Sequence, residues 1–223
     1  MMDRKKYLLV MAGGSGSRMG ADCPKQFLEI GGKAILQLTI ERFLEAEPDL
    51  KVVVVLPKEH IDTWKQYCHS RNFFCPQTLV SGGITRFHSV RNGLEKVPEG
   101  ALVAVHDAVR PLISAELVRT LYAAAEVSGA VVPTVPVVDT IKSLDGIYVD
   151  RSRLLSVQTP QIFRSELLKE AYRQPYNTSF TDDASVVEAA GETVDYVSGE
   201  RFNIKITTPD DLVLCNALMS VVG

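Results

Sequence analysis

Apolar runs of strand length recur along the chain at residues 7–12, 52–57, 101–107 and 130–135. Their apolar character is nearly continuous rather than alternating, as in strands covered on both faces of a parallel sheet. Between them the apolar positions switch to a helical period. Over about 34–47, Ile35, Leu38, Ile40, Phe43 and Leu44 fall mostly on one face, and Pro48 marks the exit. Further helices are expected over about 59–70, 86–96 and 115–128. The last is announced by Ser114 as an N-cap, followed by a buried stripe of Leu117, Val118, Leu121 and Tyr122. Strands alternating with helices in this way predict a three-layer α/β/α domain with a mostly parallel central sheet.

The pattern changes between 135 and 160. Two stretches with strand character flank Asp145-Gly146, which reads as a turn, and the segment of about 136–158 is expected to form a β-arm. A two-stranded hairpin is marginal in water, and this one carries Val137, Val138, Ile141, Leu144, Ile147, Val149, Leu154 and Leu155. It therefore needs something to pack against: a second subunit, or its own domain if it folds back. Beyond the arm, helices are expected near 165–173 and 182–190, a short strand at 193–198, a segment at 203–207, and a last helix from about Pro209, where Asp210 and Asp211 suit a helix start. No repeat or linker interrupts the sequence, so residues 1–223 are read as one domain.

Composition adds mainly exclusions. A chain of 223 residues with 46% hydrophobic and 23% charged residues can bury a sizeable core without disulfide or metal staples. A formal net charge of -3 gives no reason to expect nucleic-acid or membrane partners. The four cysteines form no C-x-x-C pair and no zinc-like spacing with the histidines, which suits reduced thiols in a cytoplasmic protein.

The chemistry is concentrated after the first strand, in Ala12-Gly-Gly-Ser-Gly-Ser-Arg-Met-Gly20 followed by Pro24-Lys25. A loop at the carboxyl end of a strand in an α/β sheet lies where ligands usually bind. It is not a dinucleotide fingerprint, because the third glycine arrives one residue late, and it is not a Walker loop, because the sole Gly-Lys pair leads to Ala34. What remains is a backbone-rich loop with two cations, Arg18 and Lys25, suited to surrounding a polyphosphate. Singly, these glycines would be an ordinary tight turn and Lys25 a solvated surface residue.

With Pro24-Lys25 this loop resembles that of the nucleotide-sugar pyrophosphorylase-like nucleotidyltransferases, a Rossmann-like fold. The later motifs narrow the resemblance. Gly82-Gly-Ile-Thr-Arg-Phe-His-Ser-Val90, Val105-His-Asp-Ala-Val-Arg-Pro111, Pro136-Val-Val-Asp-Thr-Ile-Lys142, Gln158-Thr-Pro-Gln161, Thr181-Asp-Asp-Ala-Ser185 and Asn203-Ile-Lys-Ile-Thr207 are similar, in order and over nearly the whole chain, to those of the 2-C-methyl-D-erythritol 4-phosphate cytidylyltransferase family. A ribitol 5-phosphate cytidylyltransferase shares the first loop, His106-Asp-Ala-Val-Arg110 and the Asn203 segment, whereas the Pro136 and Thr181 motifs favour methylerythritol phosphate. The resemblance implies transfer of CMP from CTP to a polyol phosphate, magnesium as cofactor, and a homodimer built through the β-arm.

In such a reaction the nucleophile is a phosphate oxygen that is already deprotonated, so no general base is required. The obstacle is repulsion between two anionic substrates, which cations and a metal must offset. The resemblance then assigns roles. Arg18, Lys25 and Lys205 hold the nucleotide phosphates and the transition state. Ala12, Gly13, Gly14, Gly83, Ser89 and Ala108 surround the nucleotide. Asp107 carries magnesium, and Arg110, Thr140 and Arg151 take the phosphate of the second substrate, some of them across the dimer. His106 reads instead as a satisfied core histidine.

Overall fold

The computed structural model describes residues 4–14 and 23–222. In chain order it contains β1 (Lys6–Met11), β2 (Glu29–Ile30), β3 (Lys33–Ala34), α1 (Ile35–Ala46), β4 (Lys51–Leu56), α2 (Ile61–Ser70), β5 (Gln77–Ser81), α3 (Arg86–Leu94), β6 (Leu102–Asp107) and α4 (Ala115–Ser128). There follow β7 (Ala130–Pro136), β8 (Ile141–Lys142), β9 (Tyr148–Val149), β10 (Leu155–Val157), β11 (Gln161–Arg164), α5 (Ser165–Ala171), α6 (Asp183–Ala189), β12 (Asp195–Ser198) and α7 (Pro209–Val222).

β1 lies at the centre, parallel to β4 on one side and to β6 on the other, and β5 extends the parallel run beyond β4. The order of strands therefore reverses at β1, and a crevice opens between the carboxyl ends of β1 and β6, the usual ligand position in such sheets. Past β6 the sheet is mixed. β11 is inserted antiparallel between β6 and β7, and β12 runs parallel to β7. Val131 pairs with both Ile162 and Asp195, and Thr134 with both Val157 and Ser198, so β10 and β11 lie end to end along one side of β7 with β12 on the other.

The continuous apolar runs are explained by two covered faces. Leu8, Val10, Val52, Val54, Leu102 and Ala104 pack on one side with Leu36, Ile40 and Phe43 of α1, Trp64 of α2 and Leu121 of α4. The intervening Leu9, Val53, Val55, Val103 and Val105 face Phe87, Val90 and Leu94 of α3 and Leu168, Ala184 and Val187 of α5 and α6. This is the expected three-layer α/β arrangement. Gly93 is where α3 crosses closest to the sheet: a Cβ there would sit 2.3 Å from the Leu9 side chain. α7 closes one end through Cys215, which is buried with Val109, Leu112 and Ile206. The cysteines are unpaired thiols.

The arm departs from β7 at Pro136 and returns as β10, which pairs back onto β7. Its hairpin is short: Ile141 faces Val149, and Lys142 faces Tyr148. The turn residue Gly146 has φ +87, and its N–H donates to Ser143 O at 2.9 Å. A left-handed residue is needed there, and glycine adopts it without strain. Leu144 is fully exposed at the tip, with Val138, Ile147 and Tyr148 also open to solvent. The hairpin thus does not fold back onto its own domain.

Candidate active site

The crevice at the carboxyl ends of β1 and β6 encloses about 260 Å³. One wall is the backbone from Met11 to Gly14. Ala12 N–H donates to Val55 O at 2.9 Å, and the buried Gln26 amide donates to Ala12 O at 2.9 Å, fixing the loop as it leaves β1. The opposite wall is the start of α3. Gly83 passes so close to that helix that a Cβ would lie 2.5 Å from the His88 Cβ, and its N–H donates to Ser89 Oγ at 3.0 Å. Ser89 in turn donates to Thr85 O at 2.9 Å, while Thr85 caps the helix. Small residues here leave a slot with backbone polar groups along both sides.

The floor is charged. Asp107 ends β6, and Ala108 N–H donates back to Met11 O at 3.1 Å. Lys205 Nζ lies 3.0 Å from Asp107 Oδ2, and Arg110 Nε reaches the same oxygen at 3.4 Å. Burial pushes the Asp107 carboxyl up, but Lys205, Arg86 and Arg110 outweigh it and hold the group below the usual carboxylate range. Asp107 is therefore ionised throughout the physiological range. Lys25 stands across the crevice, its Nζ 3.4 Å from Ile206 O and its stem beside Gly14.

A second cavity of about 290 Å³ adjoins the first and is lined by Arg110, Gln158, Thr159, Gln161, Thr181 and Asp182. Among the described residues, Arg86, Asp107 and Lys205 line both cavities. Asp182 has two tasks: it caps α6 in a capping box with Ser185, and its Oδ2 accepts from Gln161 Nε2 at 2.7 Å. The 203–206 segment is tied down on every side. Arg110 Nη1 donates to Asn203 O at 2.7 Å, Asn203 Nδ2 donates to Thr159 O at 2.9 Å, and Ile206 N–H donates to Val109 O at 2.9 Å. Lys205 is thereby presented on an extended segment with little backbone freedom.

His106 is wholly buried behind this floor, as a core histidine. Arg110 O, which can only accept, lies 3.2 Å from Nε2, so Nε2 carries the proton and the bare Nδ1 accepts from Thr159 Oγ1 at 3.1 Å. Thr159 Oγ1 itself accepts from Asp107 N–H at 3.1 Å. Burial lowers the His106 pKa to about 3. The ring is therefore a neutral strut between Arg110 O and the Thr159 hydroxyl, with its centroid 4.8 Å from that of Phe43 in an edge-to-face pairing.

Of the residues singled out from sequence, Ala12, Gly13, Gly14, Lys25, Gly83, Ser89, Asp107, Ala108 and Lys205 converge on the first cavity, and Arg110 reaches the second. Thr140 and Arg151 do not come to either one. Both are exposed on the arm, where Arg151 Nη1 donates to Val138 O. Arg18 lies outside the described residues. Sequence reasoning gave no site role to Gln26, nor to Arg86 and the polar stretch 158–161, although the last two lie in motifs that carry the family resemblance. For Arg86 a signal was present: it is a cation in the first turn of α3, three residues after Gly83.

A doubly covered sheet with a backbone-lined crevice at its switch point, and an ionised aspartate paired with Lys205, has the features of an α/β nucleotidyltransferase. The sequence profile of 2-C-methyl-D-erythritol 4-phosphate cytidylyltransferase matches residues 7–221. The 2-C-methyl-D-erythritol 4-phosphate cytidylyltransferase of Porphyromonas gingivalis W83 is 50% identical over 223 residues, covering 98% of this chain and 100% of the relative. That of Bacteroides thetaiotaomicron is 48% identical over 218 residues, covering 96% and 100%. The crystal structure of 2-C-methyl-D-erythritol 4-phosphate cytidylyltransferase from Thermus thermophilus superposes with a TM-score of 0.78 at 36% identity, covering 97% of this chain and 99% of the other. The chain belongs to the 2-C-methyl-D-erythritol 4-phosphate cytidylyltransferase family.

Proposed function

We infer that this chain transfers CMP from CTP to 2-C-methyl-D-erythritol 4-phosphate, releasing pyrophosphate and forming 4-diphosphocytidyl-2-C-methyl-D-erythritol for isoprenoid precursor synthesis. The observation that carries the reading is the pair of adjoining cavities with Arg86, Asp107 and Lys205 on their common wall. The slot between 12–14 and Gly83 suits a flat base, and the polar second cavity suits a phosphorylated polyol. A phosphate oxygen of the polyol forms the new bond to the α-phosphorus as the bond to the β-phosphate bridging oxygen breaks, and pyrophosphate leaves with that electron pair. No proton moves in this step, which agrees with a neutral, buried His106 that faces no substrate.

Lys25 and Lys205, with Arg18, would neutralise the charge that gathers when the two anions meet. Their value would rise as the bound substrates displace the water that otherwise screens them. Magnesium fits Asp107: the carboxylate is a hard, permanently ionised oxygen donor on the wall of both cavities, and one carboxylate with phosphate oxygens and water is a usual magnesium set. When bound, the ion supplies positive charge to the nucleotide phosphates. Among the described residues no group of three or more His, Cys, Asp or Glu side chains could hold a metal, so Asp107 would be its main protein ligand.

The exposed apolar hairpin suits a homodimer in which the partner covers Leu144 and Ile147, and a second copy could bring Thr140 and Arg151 to a cavity. No described helix is long and apolar enough to cross a membrane; a cytoplasmic setting suits an enzyme working on CTP. Incubation with magnesium, CTP and either methylerythritol phosphate or ribitol 5-phosphate, with products identified by mass, tests the reading. The methylerythritol adduct is expected, and product from ribitol 5-phosphate alone would refute it.

A further inference from the structure

Arg86 is the shared wall residue to which neither the family roles nor the sequence patterns assign a task. Its guanidinium is forked onto Asp183, with Nη1 donating to Oδ1 at 3.0 Å and Nη2 to Oδ2 at 2.6 Å. Asp183 is wholly buried and also accepts from Tyr172 OH at 2.6 Å, so the carboxylate is fixed from two sides. Burial opposes the charge on Arg86, but Asp183 more than offsets this and raises its pKa above the ordinary arginine range.

A pair serving only to tie α3 to α6 would have no need of an open face. Yet the Arg86 side chain keeps 33% of its surface exposed while that of its partner has none, and it lines both cavities. Two bonds to Asp183 leave further N–H donors on the planar fork. Arg110, which lines only the second cavity, is 11% exposed, with Nε toward Asp107 and Nη1 donating to Asn203 O. Arg86 is thus the better presented arginine at the junction.

We propose that the Arg86 guanidinium, aimed by Asp183, is a phosphate contact at the junction of the two cavities, gripping the phosphomonoester of the second substrate where it meets the nucleotide. This rests on the two-substrate reading above. Asp183 is then a positioning residue, and the fork of Arg86 holds the attacking phosphate against rotation as well as neutralising it.

The test separates charge from pairing. Wild-type turnover is measured first; no product with CTP and methylerythritol phosphate defeats the two-substrate reading, whatever Arg86 does. Then Asp183→Asn, which keeps the cation but loosens its aim, is compared with the double variant Arg86→Met/Asp183→Asn, which removes both charges and strands neither in the interior. Loss of a charge-assisted contact should raise KM for the polyol phosphate by about 30-fold in the double variant, against about threefold in Asp183→Asn. Competitive inhibition by inorganic phosphate should weaken in the same order. Equal losses in the two variants would make the pair purely structural and overturn the proposal. If Asp183→Asn does not fold, the double variant decides alone: weakened phosphate inhibition supports the contact, and wild-type inhibition overturns it.

Discussion

Replacing His106 should change how the protein responds to acid far more than how it works at neutral pH. In the unfolded chain a histidine takes up its proton near pH 6.5, whereas the buried ring does so only near 3. Between those values the unfolded state holds one proton more than the folded state, so stability falls as pH falls, by about 1.4 kcal/mol per unit. From pH 7 to 4.5 this single ring costs about 2.5 kcal/mol, a substantial part of the roughly 5–15 kcal/mol that holds a domain together. Carboxylates held low by the fold, Asp107, Glu166 and Asp211 among them, begin to lose their contribution as pH nears the ordinary carboxylate values of about 4–4.5 and go on losing it below, so the window above about 5 reports mainly on His106. Glutamine at 106 can offer an N–H toward Arg110 O and an oxygen toward the Thr159 hydroxyl without titrating. Urea midpoints at pH 7, 6 and 5 should fall steadily for the wild type and stay nearly level for His106→Gln. An equally steep fall in the variant would refute the assignment, as would a level wild-type curve.

Three further outcomes are expected. Lys25→Ala should lower kcat by about 10²–10³ with little change in melting temperature, whereas His106→Gln keeps most of its turnover at neutral pH; comparable losses in steady-state rates would remove the electrostatic account. Gly93→Ala sets a helix-propensity gain of about 1 kcal/mol against a Cβ placed 2.3 Å from buried Leu9 and 3.0 Å from Val55, and the overpacking should win with a net loss of about 1–2 kcal/mol in urea unfolding. Leu144→Asp with Ile147→Asp, both at exposed positions of the hairpin, should leave circular dichroism unchanged and abolish the proposed dimer in sedimentation; a wild type that sediments as a monomer would refute that proposal.

The elements that could be read from sequence were those with one dominant environment. β1, β4, β6 and β7 are buried on both faces over most of their length, so their residues are apolar with few interruptions, and Ser114 caps α4 as its side chain predicts. β5 was missed because its residues are partly or fully exposed along its length, which leaves Gln77 to Ser81 without a clear period. β11 was missed for a different reason: Gln161 and Arg164 owe their places to long-range partners, Asp182 and the carbonyl of Glu126, and nothing nearby in sequence announces them. The first cavity was legible because short motifs carry its residues at strand ends. The second is assembled from 158–161, 181–182 and the start of α3, segments far apart in the chain, so its outline depends on the order of strands.

The route by which the hairpin rejoins the sheet has a mechanical consequence. β10 brings the chain back from the arm and runs without a break into Val157, Gln158 and Thr159, which form a side of the second cavity. Thr159 then touches both Asp107 and His106. A neighbour that held the hairpin would hold the same short stretch of backbone that lines the second cavity, so its grip and the dimensions of that cavity would not be independently adjustable. Lengthening or shortening the hairpin should therefore be felt first in substrate selection.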